Sequence, residues 1–347
     1  MRNRALLVGM VAGSTLLAVW AHYRTQPAVT SLLVYQQEPI GIMGTTSNLI
    51  LVSEREEADK AEQILVAAEG QLRHLEALLS TWIEASAVSR FNSSGPEEPI
   101  AIPEELQEVL ELAHDIHRSS QGAFDITVGP LIELWRTAAE QGSAPDEASL
   151  ITARRQSTWD QIRLSDGFAT KTLATTRVDI DGIAKGFAID RASELMQRSG
   201  IAGGMVEVGG DLRVFGTGPE DRSWTVAIRS PFEDRVWAEL QLGDGAVCSS
   251  GDYARPLKIG ETRYSHIVDP RTGRPTQEVH AVTVVGPDAA TTDAWATALS
   301  VLGKAGLKLL DADLQAMVVV GERDDYRVHA TAGFRQLLVR AAFDLEE

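Results

Sequence analysis

Three runs in this chain carry residue types whose spacing could do chemistry. The first is Val178-Asp-Ile-Asp-Gly-Ile-Ala-Lys-Gly186, where two aspartates, a glycine and a lysine precede an apolar-periodic stretch. Read as a strand feeding a helix, it gathers free N–H groups, a positive dipole end and the Lys185 ammonium, which suits a phosphate. It is neither a G-x-G-x-x-G turn nor a P-loop, whose lysine is followed by Ser or Thr. The same residues also suit an Asp-capped helix start, a glycine turn and a solvated lysine. The second run is Thr291-Thr-Asp-Ala-Trp-Ala-Thr297. On a helix, Asp293 and Thr297 share a face, giving an oxygen-only donor pair of the kind Mg²⁺ prefers when phosphates complete its shell. Alternatively, Asp293 caps the helix and Thr297 bonds back to a carbonyl. The third run is Arg263-Tyr-Ser-His-Ile-Val-Asp-Pro-Arg-Thr-Gly-Arg-Pro275. Its His266, just before an Asp-Pro…Thr-Gly turn, could act as a base near neutral pH or brace the turn.

Smaller signals lie between these runs. Gly122-Ala-Phe-Asp125, Val208-Gly-Gly-Asp211 and Ser249-Ser-Gly251 are turns of small residues that let backbone approach a ligand. Cys248 has no thiol or histidine neighbour in sequence and reads as a small buried apolar residue.

Several elements must position these groups. Ile64, Leu65, Ala68, Leu72, Leu75 and Leu79 recur at helical spacing over residues 58–80. A second helix is predicted from Pro103 through Leu106, Val109, Leu110, Ala113 and Ile116. Residues 175–181 read as a strand, and Ile183 to Arg198 as a helix stopped by Gly200. Strands follow at 204–215, 223–229, 236–242, 246–249, 280–286, 316–320 and 325–330, interrupted by a helix from Thr291-Thr292 to near Gly303. Helices first and strands later predict an α+β fold with antiparallel pairing. The stretch at 142–146 reads as a loop.

The whole composition limits the choices. The 347 residues are 44% apolar and 23% charged, as in a globular protein with a large core. With 32 basic and 49 acidic residues the net charge is −17, which gives no general attraction for nucleic acid. One cysteine excludes an internal disulfide, a thiolate zinc cluster and an iron–sulfur centre. Arg2 and Arg4 precede the uncharged run Ala5–Ala21, which reads as a signal or membrane anchor with cleavage after Ala21 as one outcome. The expected organisation is therefore an address at 1–21, a linker at 22–38 and a globular body over 39–347, exported to a bacterial periplasm.

Taken together and in order, the motifs resemble the flavin transferase (ApbE) family, the FAD:protein FMN transferases. The resembling blocks are Met43-Gly-Thr45; Leu79-Ser-Thr-Trp82 with Ser89-Arg-Phe-Asn92; Gly122-Ala-Phe-Asp-Ile-Thr-Val-Gly-Pro130; Val178–Phe187; Val208-Gly-Gly-Asp211; Ser265-His-Ile-Val-Asp-Pro-Arg-Thr-Gly273; and Thr292-Asp-Ala-Trp-Ala-Thr297. The resemblance implies a T-fold-like antiparallel sheet with helices on one face, plus a smaller α/β part. It implies Mg²⁺-dependent transfer of FMN from FAD to a threonine hydroxyl of a target flavoprotein, typically a subunit of a membrane redox complex, with release of AMP. Some members instead hydrolyse FAD to FMN and AMP, and a periplasmic flavin carrier without turnover is the non-enzymatic alternative. The implied FAD contacts are Met43, Trp82, Ala123, Phe124, Asp125, Asp179, Lys185 and Ile267. The implied metal ligands are the Gly182 carbonyl, Asp293 and Thr297, and His266 is the expected acid–base residue. The chain departs from the family pattern in having Trp82 where tyrosine is common, Glu207 where Asn is common, and no lipoprotein cysteine.

Overall fold

The computed structural model of the chain describes residues 32–220, 222–251 and 257–346. Its centre is an antiparallel sheet of nine described strands. In spatial order they are Leu32–Gln37, Thr45–Glu54, Gly203–Val208, Asp211–Gly216, Gly245–Gly251, Val279–Gly286, Gln315–Glu322 and Asp325–Ala330, with Ile40–Ile42 paired to the second of these. Eight helices accompany it among the described residues: α1 (Ala58–Leu79), α2 (Ala87–Ser93), α3 (Glu104–Ser119), α4 (Gly129–Gln141), α5 (Glu147–Gln156), α6 (Asp181–Arg198), α7 (Ala289–Leu302) and α8 (Ala332–Leu337).

The central strands are apolar on both faces because both faces are covered. Leu49, Leu51, Val206, Val208, Val282, Val284, Ala316 and Val318 pack against α1, α3, α6 and α7. Their alternates Ile50, Val52, Met205, Leu212, Val214, Met317 and Val319 pack against a second, three-stranded sheet of Trp224–Arg229, Val236–Leu242 and Leu338–Ala341. A smaller unit of α4 and α5 buries Leu131, Trp135, Leu150 and Ala153 against Ile259 and Val268. The fold is α+β with antiparallel pairing, as the element order predicts, and its helices lie on one face of the main sheet, as the resemblance implies.

The helix periodicity of residues 58–80 lands on α1, whose six predicted apolar residues are all buried. Three boundaries differ. The stretch 204–215 is two strands, folded into a hairpin at Gly209 (φ 64°) and Gly210 (φ 96°), a backbone that glycine adopts without strain. The expected linker 22–38 overreaches, since Leu32–Gln37 is the sheet's edge strand, paired to residues 49–54. Helix α7 starts at Ala289, two residues early, because Asp288 caps it through Thr291 N–H at 2.8 Å.

The fourth difference touches the site. Residues 176–180 pair with no strand, although the Val-Asp-Ile-Asp alternation reads as one. The Asn92 side chain takes the place of a partner strand: its Nδ2 donates to Val178 O at 2.9 Å and its Oδ1 accepts from Val178 N at 2.8 Å. Among the described residues no helix is long and apolar enough to cross a membrane. The run Ala5–Ala21 and the linker up to residue 31 lie outside the described residues.

Candidate active site

Helices α6 and α7 carry the centre of the site, and they cross very closely. A Cβ on Gly186 would stand 2.2 Å from Ala289 O, so only glycine fits there. Asp190, one turn further along α6, accepts the N–H groups of Ala289 and Ala290 at 2.8 Å each and an Arg213 N–H at 2.6 Å. The first turn of α7 is thereby held by two carboxylates, Asp190 and its own cap Asp288, which matches the positive end of a helix. Burial pushes the Asp190 carboxyl up to about 6, against those N–H bonds and the Arg213 charge.

This crossing sets Lys185 of α6 beside Asp293 of α7. The ammonium donates to Asp211 Oδ2 and lies 3.4 and 3.5 Å from the two Asp293 oxygens. Asp211 also accepts from Ser249 N–H at 2.9 Å, and Asp293 from Gly186 N–H at 3.2 Å. Burial works against the charge on Lys185, but the two carboxylates outweigh it and raise its pKa. Burial raises Asp293, while the Lys185 charge and the Gly186 N–H pull it down. With both carboxylates ionised, the one ammonium leaves the cluster a net charge of −1. Cys248, fully buried beneath it with Sγ 3.5 Å from Ala289 O, has its thiol pKa pushed up by burial and stays inert.

One helical turn along each helix lie Gly182 and Thr297. A Cβ on Gly182 would be 2.8 Å from Thr297 Oγ1 and 3.4 Å from the Phe124 ring. The bare Cα therefore lets the start of α6 come close to the Thr297 hydroxyl and the Phe124 ring. Phe124 belongs to the predicted Ala123-Phe124-Asp125 segment, which is stitched to the α6 entry by Asp179 N–H donating to Ile126 O at 2.7 Å. Asp125 is almost fully buried: Oδ1 accepts from Thr127 N–H and Oγ at 2.7 and 2.6 Å, and Oδ2 is 3.3 Å from His117 Nδ1. That Asp125 bond, more than burial opposes it, raises the His117 pKa. Asp179 itself accepts from Asp181 N–H at 3.1 Å.

The remaining predicted residues surround this centre or are engaged elsewhere. The 265–273 loop lies along the 117–125 segment, since a Cβ on Gly122 would meet His117 at 3.6 Å and Arg271 at 4.0 Å. His266 is half-buried and Ile267 buried at the head of that loop, where Ile267 N–H donates to Ser265 Oγ at 3.1 Å. The loop's end is anchored by Trp135 Nε1–H donating to Gly273 O at 2.8 Å. Met43 sits in a turn at φ 48° and donates its N–H to Glu76 at 2.8 Å. Trp82 is exposed, with the Arg136 guanidinium 5.7 Å over its ring. Glu207 turns back onto its own hairpin, accepting Gly210 N–H at 2.6 Å.

The structure thus brings Gly182, Lys185, Asp293 and Thr297 together, with Phe124 against them and Asp125 and Asp179 close in the chain. Sequence reasoning missed Asp211 as a site residue, although the Gly-Gly-Asp turn singled it out; its strand begins there and its carboxylate faces Lys185. Asp190 carried no signal beyond being a polar residue on an apolar helix face.

Comparison with known proteins agrees with this architecture. The ApbE family model matches residues 43–319. The FAD:protein FMN transferase of Vibrio cholerae is 31% identical over 303 residues, covering 85% of this chain and 90% of that protein. Its counterpart in Escherichia coli K12 is 30% identical over 294 residues, covering 82% and 84% respectively. Among solved structures, the flavin transferase ApbE from Vibrio cholerae superposes with a TM-score of 0.78 at 28% identity, covering 88% of this chain and all of that one. The apo flavinyl transferase ApbE of Pseudomonas stutzeri gives 0.78 at 26% identity over 91% of this chain. A match of this extent, with the helix crossing and the Lys185 cluster in place, makes this chain an enzyme of the ApbE family of flavin transferases.

Proposed function

We propose that the protein transfers FMN from FAD to a threonine hydroxyl of a target flavoprotein, with Mg²⁺, and releases AMP. The observation that carries this reading is the convergence of Asp293, Thr297 and the Gly182 edge beside Lys185. The donor set fits a small hard cation: a carboxylate, a hydroxyl and a helix-start carbonyl, with Gly182 and Thr297 able to come close because Gly182 has no side chain. Asp293 is otherwise held only by a 3.2 Å N–H and long ion-pair contacts, so its oxygens keep lone pairs to offer. Mg²⁺ bound by Gly182 O, Asp293 and Thr297 would neutralise pyrophosphate charge and favour departure of AMP.

The chain's own residues account for the rest. Lys185, held charged by Asp211 and Asp293, supplies a fixed positive charge toward phosphate. The N-terminus of α6, which opens at Asp181 beside Gly182, adds the positive end of its helix dipole. Ala123, Phe124, Asp125, Asp179 and Ile267 line the nucleotide, with Met43 and Trp82 at the flavin end. The threonine Oγ attacks the FMN-side phosphorus as its bond to the AMP oxygen breaks, and the hydroxyl proton passes to His266. The His266→Asn variant should then keep FAD binding and lose transfer by about 10²–10⁴-fold. Weakened binding and a lowered melting temperature, with the rate per bound enzyme unchanged, would make His266 a structural residue instead.

The acceptor is proposed to be a subunit of a membrane redox complex, reached on the periplasmic side of the cytoplasmic membrane. Incubating the protein with FAD, Mg²⁺ and a threonine-containing target peptide tests the activity. AMP with a flavinylated peptide supports transfer. AMP with free FMN means a pyrophosphatase, and intact bound FAD means a carrier.

A further inference from the structure

The loop that delivers Asp179 and Gly182 to the site has almost no secondary structure to hold it. Residues 172–180 run irregularly between the strand Phe168–Lys171 and α6. A segment without ladder bonds must satisfy its backbone groups elsewhere or stay mobile. Here one amide and one ammonium do so. Asn92, on α2, grips both backbone groups of Val178, the residue just before Asp179. Beneath it the Lys171 side chain is fully buried, and its Nζ donates to Asn92 O at 2.6 Å, Thr176 O at 3.1 Å and Ala174 O at 3.4 Å. An ammonium has three N–H donors, and three carbonyls meet it. All three of those carbonyls belong to the loop or to the residue that clamps it.

The geometry points to Asn92 and Lys171 as positioning residues for the flavin nucleotide: together they fix residues 174–178 and so aim Asp179 and the Gly182 carbonyl. Two further contacts make the aim rigid. Asp179 N–H donates to Ile126 O, and Arg177 O passes so close to α4 that a Cβ on Gly129 would lie 2.6 Å from it. The loop is therefore pinned on three sides, by α2, by the 123–129 segment and from below by Lys171. A buried lysine serving only to fill space would be better replaced by an apolar side chain, because desolvating an ammonium is costly. Its retention makes sense if the carbonyls it collects must stay in one arrangement. Side chains that orient ligand-contacting groups typically change affinity by about 10–100-fold when removed.

This inference rests on the proposal that Asp179 and Gly182 belong to an FAD site, so the test reads FAD directly. Equilibrium FAD binding, by quenching of flavin fluorescence, is measured for the wild type, Asn92→Ala, Asn92→Asp and Lys171→Met, with a thermal melt of each. The wild type should bind. Asn92→Ala should remain folded, since Val88 and Phe91 still anchor α2, and bind FAD about 10–100-fold more weakly. Asn92→Asp keeps an acceptor for Val178 N–H and should recover part of that loss, which a generic packing role would not give. Lys171→Met should weaken binding at least as much as Asn92→Ala. FAD affinity equal to wild type in folded Asn92→Ala overturns the inference and leaves the transferase reading standing. A loss that only tracks the unfolded fraction, with no recovery in Asn92→Asp, also overturns it. A wild type that does not bind FAD removes both.

Discussion

Asp293 has only an ammonium at 3.4 Å and one N–H at 3.2 Å to compensate for its burial, which leaves its pKa raised. A bound divalent ion would reverse that balance, since a cation favours the ionised carboxylate. Asp293→Ala should therefore abolish Mg²⁺-dependent AMP release with the circular dichroism spectrum unchanged, and Thr297→Ala should cost less because a hydroxyl contributes no charge. Near-wild-type turnover of Asp293→Ala at saturating Mg²⁺ would sink the metal assignment. Glu207 makes a separate, pH-linked prediction. Burial pushes its carboxyl up to about 7, aided by the Asp211 and Glu38 charges and opposed by the Gly210 N–H. A raised carboxylate pKa means the folded state holds a proton the unfolded chain has released, so stability falls as pH rises from about 4.5 to about 7. Glu207→Gln keeps an acceptor for Gly210 N–H and has no proton to lose. Its stability relative to wild type, from urea unfolding, should climb across that window and level off above it. A flat difference from pH 4 to 8 would show that Glu207 is not held protonated by the fold.

At the scale of elements, the site is a helix crossing. Adding a methyl at Gly186 against Ala289 O must push α6 and α7 apart, because the obstructing atom is backbone. Gly186→Ala should lose about 1–3 kcal/mol of stability, even after the gain of up to about 1 kcal/mol in helix propensity. It should also raise the Mg²⁺ concentration needed for activity, since the proposed ligands sit on both helices. A variant as stable as wild type would mean that the crossing is looser than described. The crossing explains what was legible in the sequence. Helices α1 and α3 bury one periodic face and so announce themselves, whereas α6 and α7 are buried nearly all round; the Asp293/Thr297 pairing follows from helical spacing alone. The Val-Asp-Ile-Asp run alternates like a strand, and no pattern distinguishes a ladder partner from the Asn92 side chain that replaces it. Leu32–Gln37 read as a linker because an edge strand, polar at its end and only half-buried, lacks the apolar density of a central one. The Lys185–Asp211 pair joins a helix to a strand start across the sheet hairpin, a contact that only the fold creates. The short helices α2, α4 and α5 carry too few buried residues to set a period.

At the scale of the whole molecule, the main sheet is covered on both faces, by helices on one side and the three-stranded sheet on the other. The net charge of −17 sets the folded body against an anionic lipid surface, where each basic residue would attract and each acidic one repel. The proposed attachment to a membrane would then have to come from an apolar segment rather than from surface charge. The uncharged run Ala5–Ala21 behind Arg2 and Arg4 is the segment with that character. Export also fits the proposed chemistry, because an acceptor subunit of a membrane redox complex would present its threonine on the far side of the membrane. A fusion of residues 1–40 to a reporter that is active only in the periplasm should give signal, and substituting Asp for Leu6 and Leu17 should silence it by breaking the apolar run. The chain lacking residues 1–31 should fractionate with the cytosol while keeping FAD binding, since every described strand and helix begins at or after Leu32. A silent 1–40 fusion, with the full-length chain recovered in the cytosol, would place the enzyme with cytoplasmic acceptors and remove the membrane redox partner from the proposal.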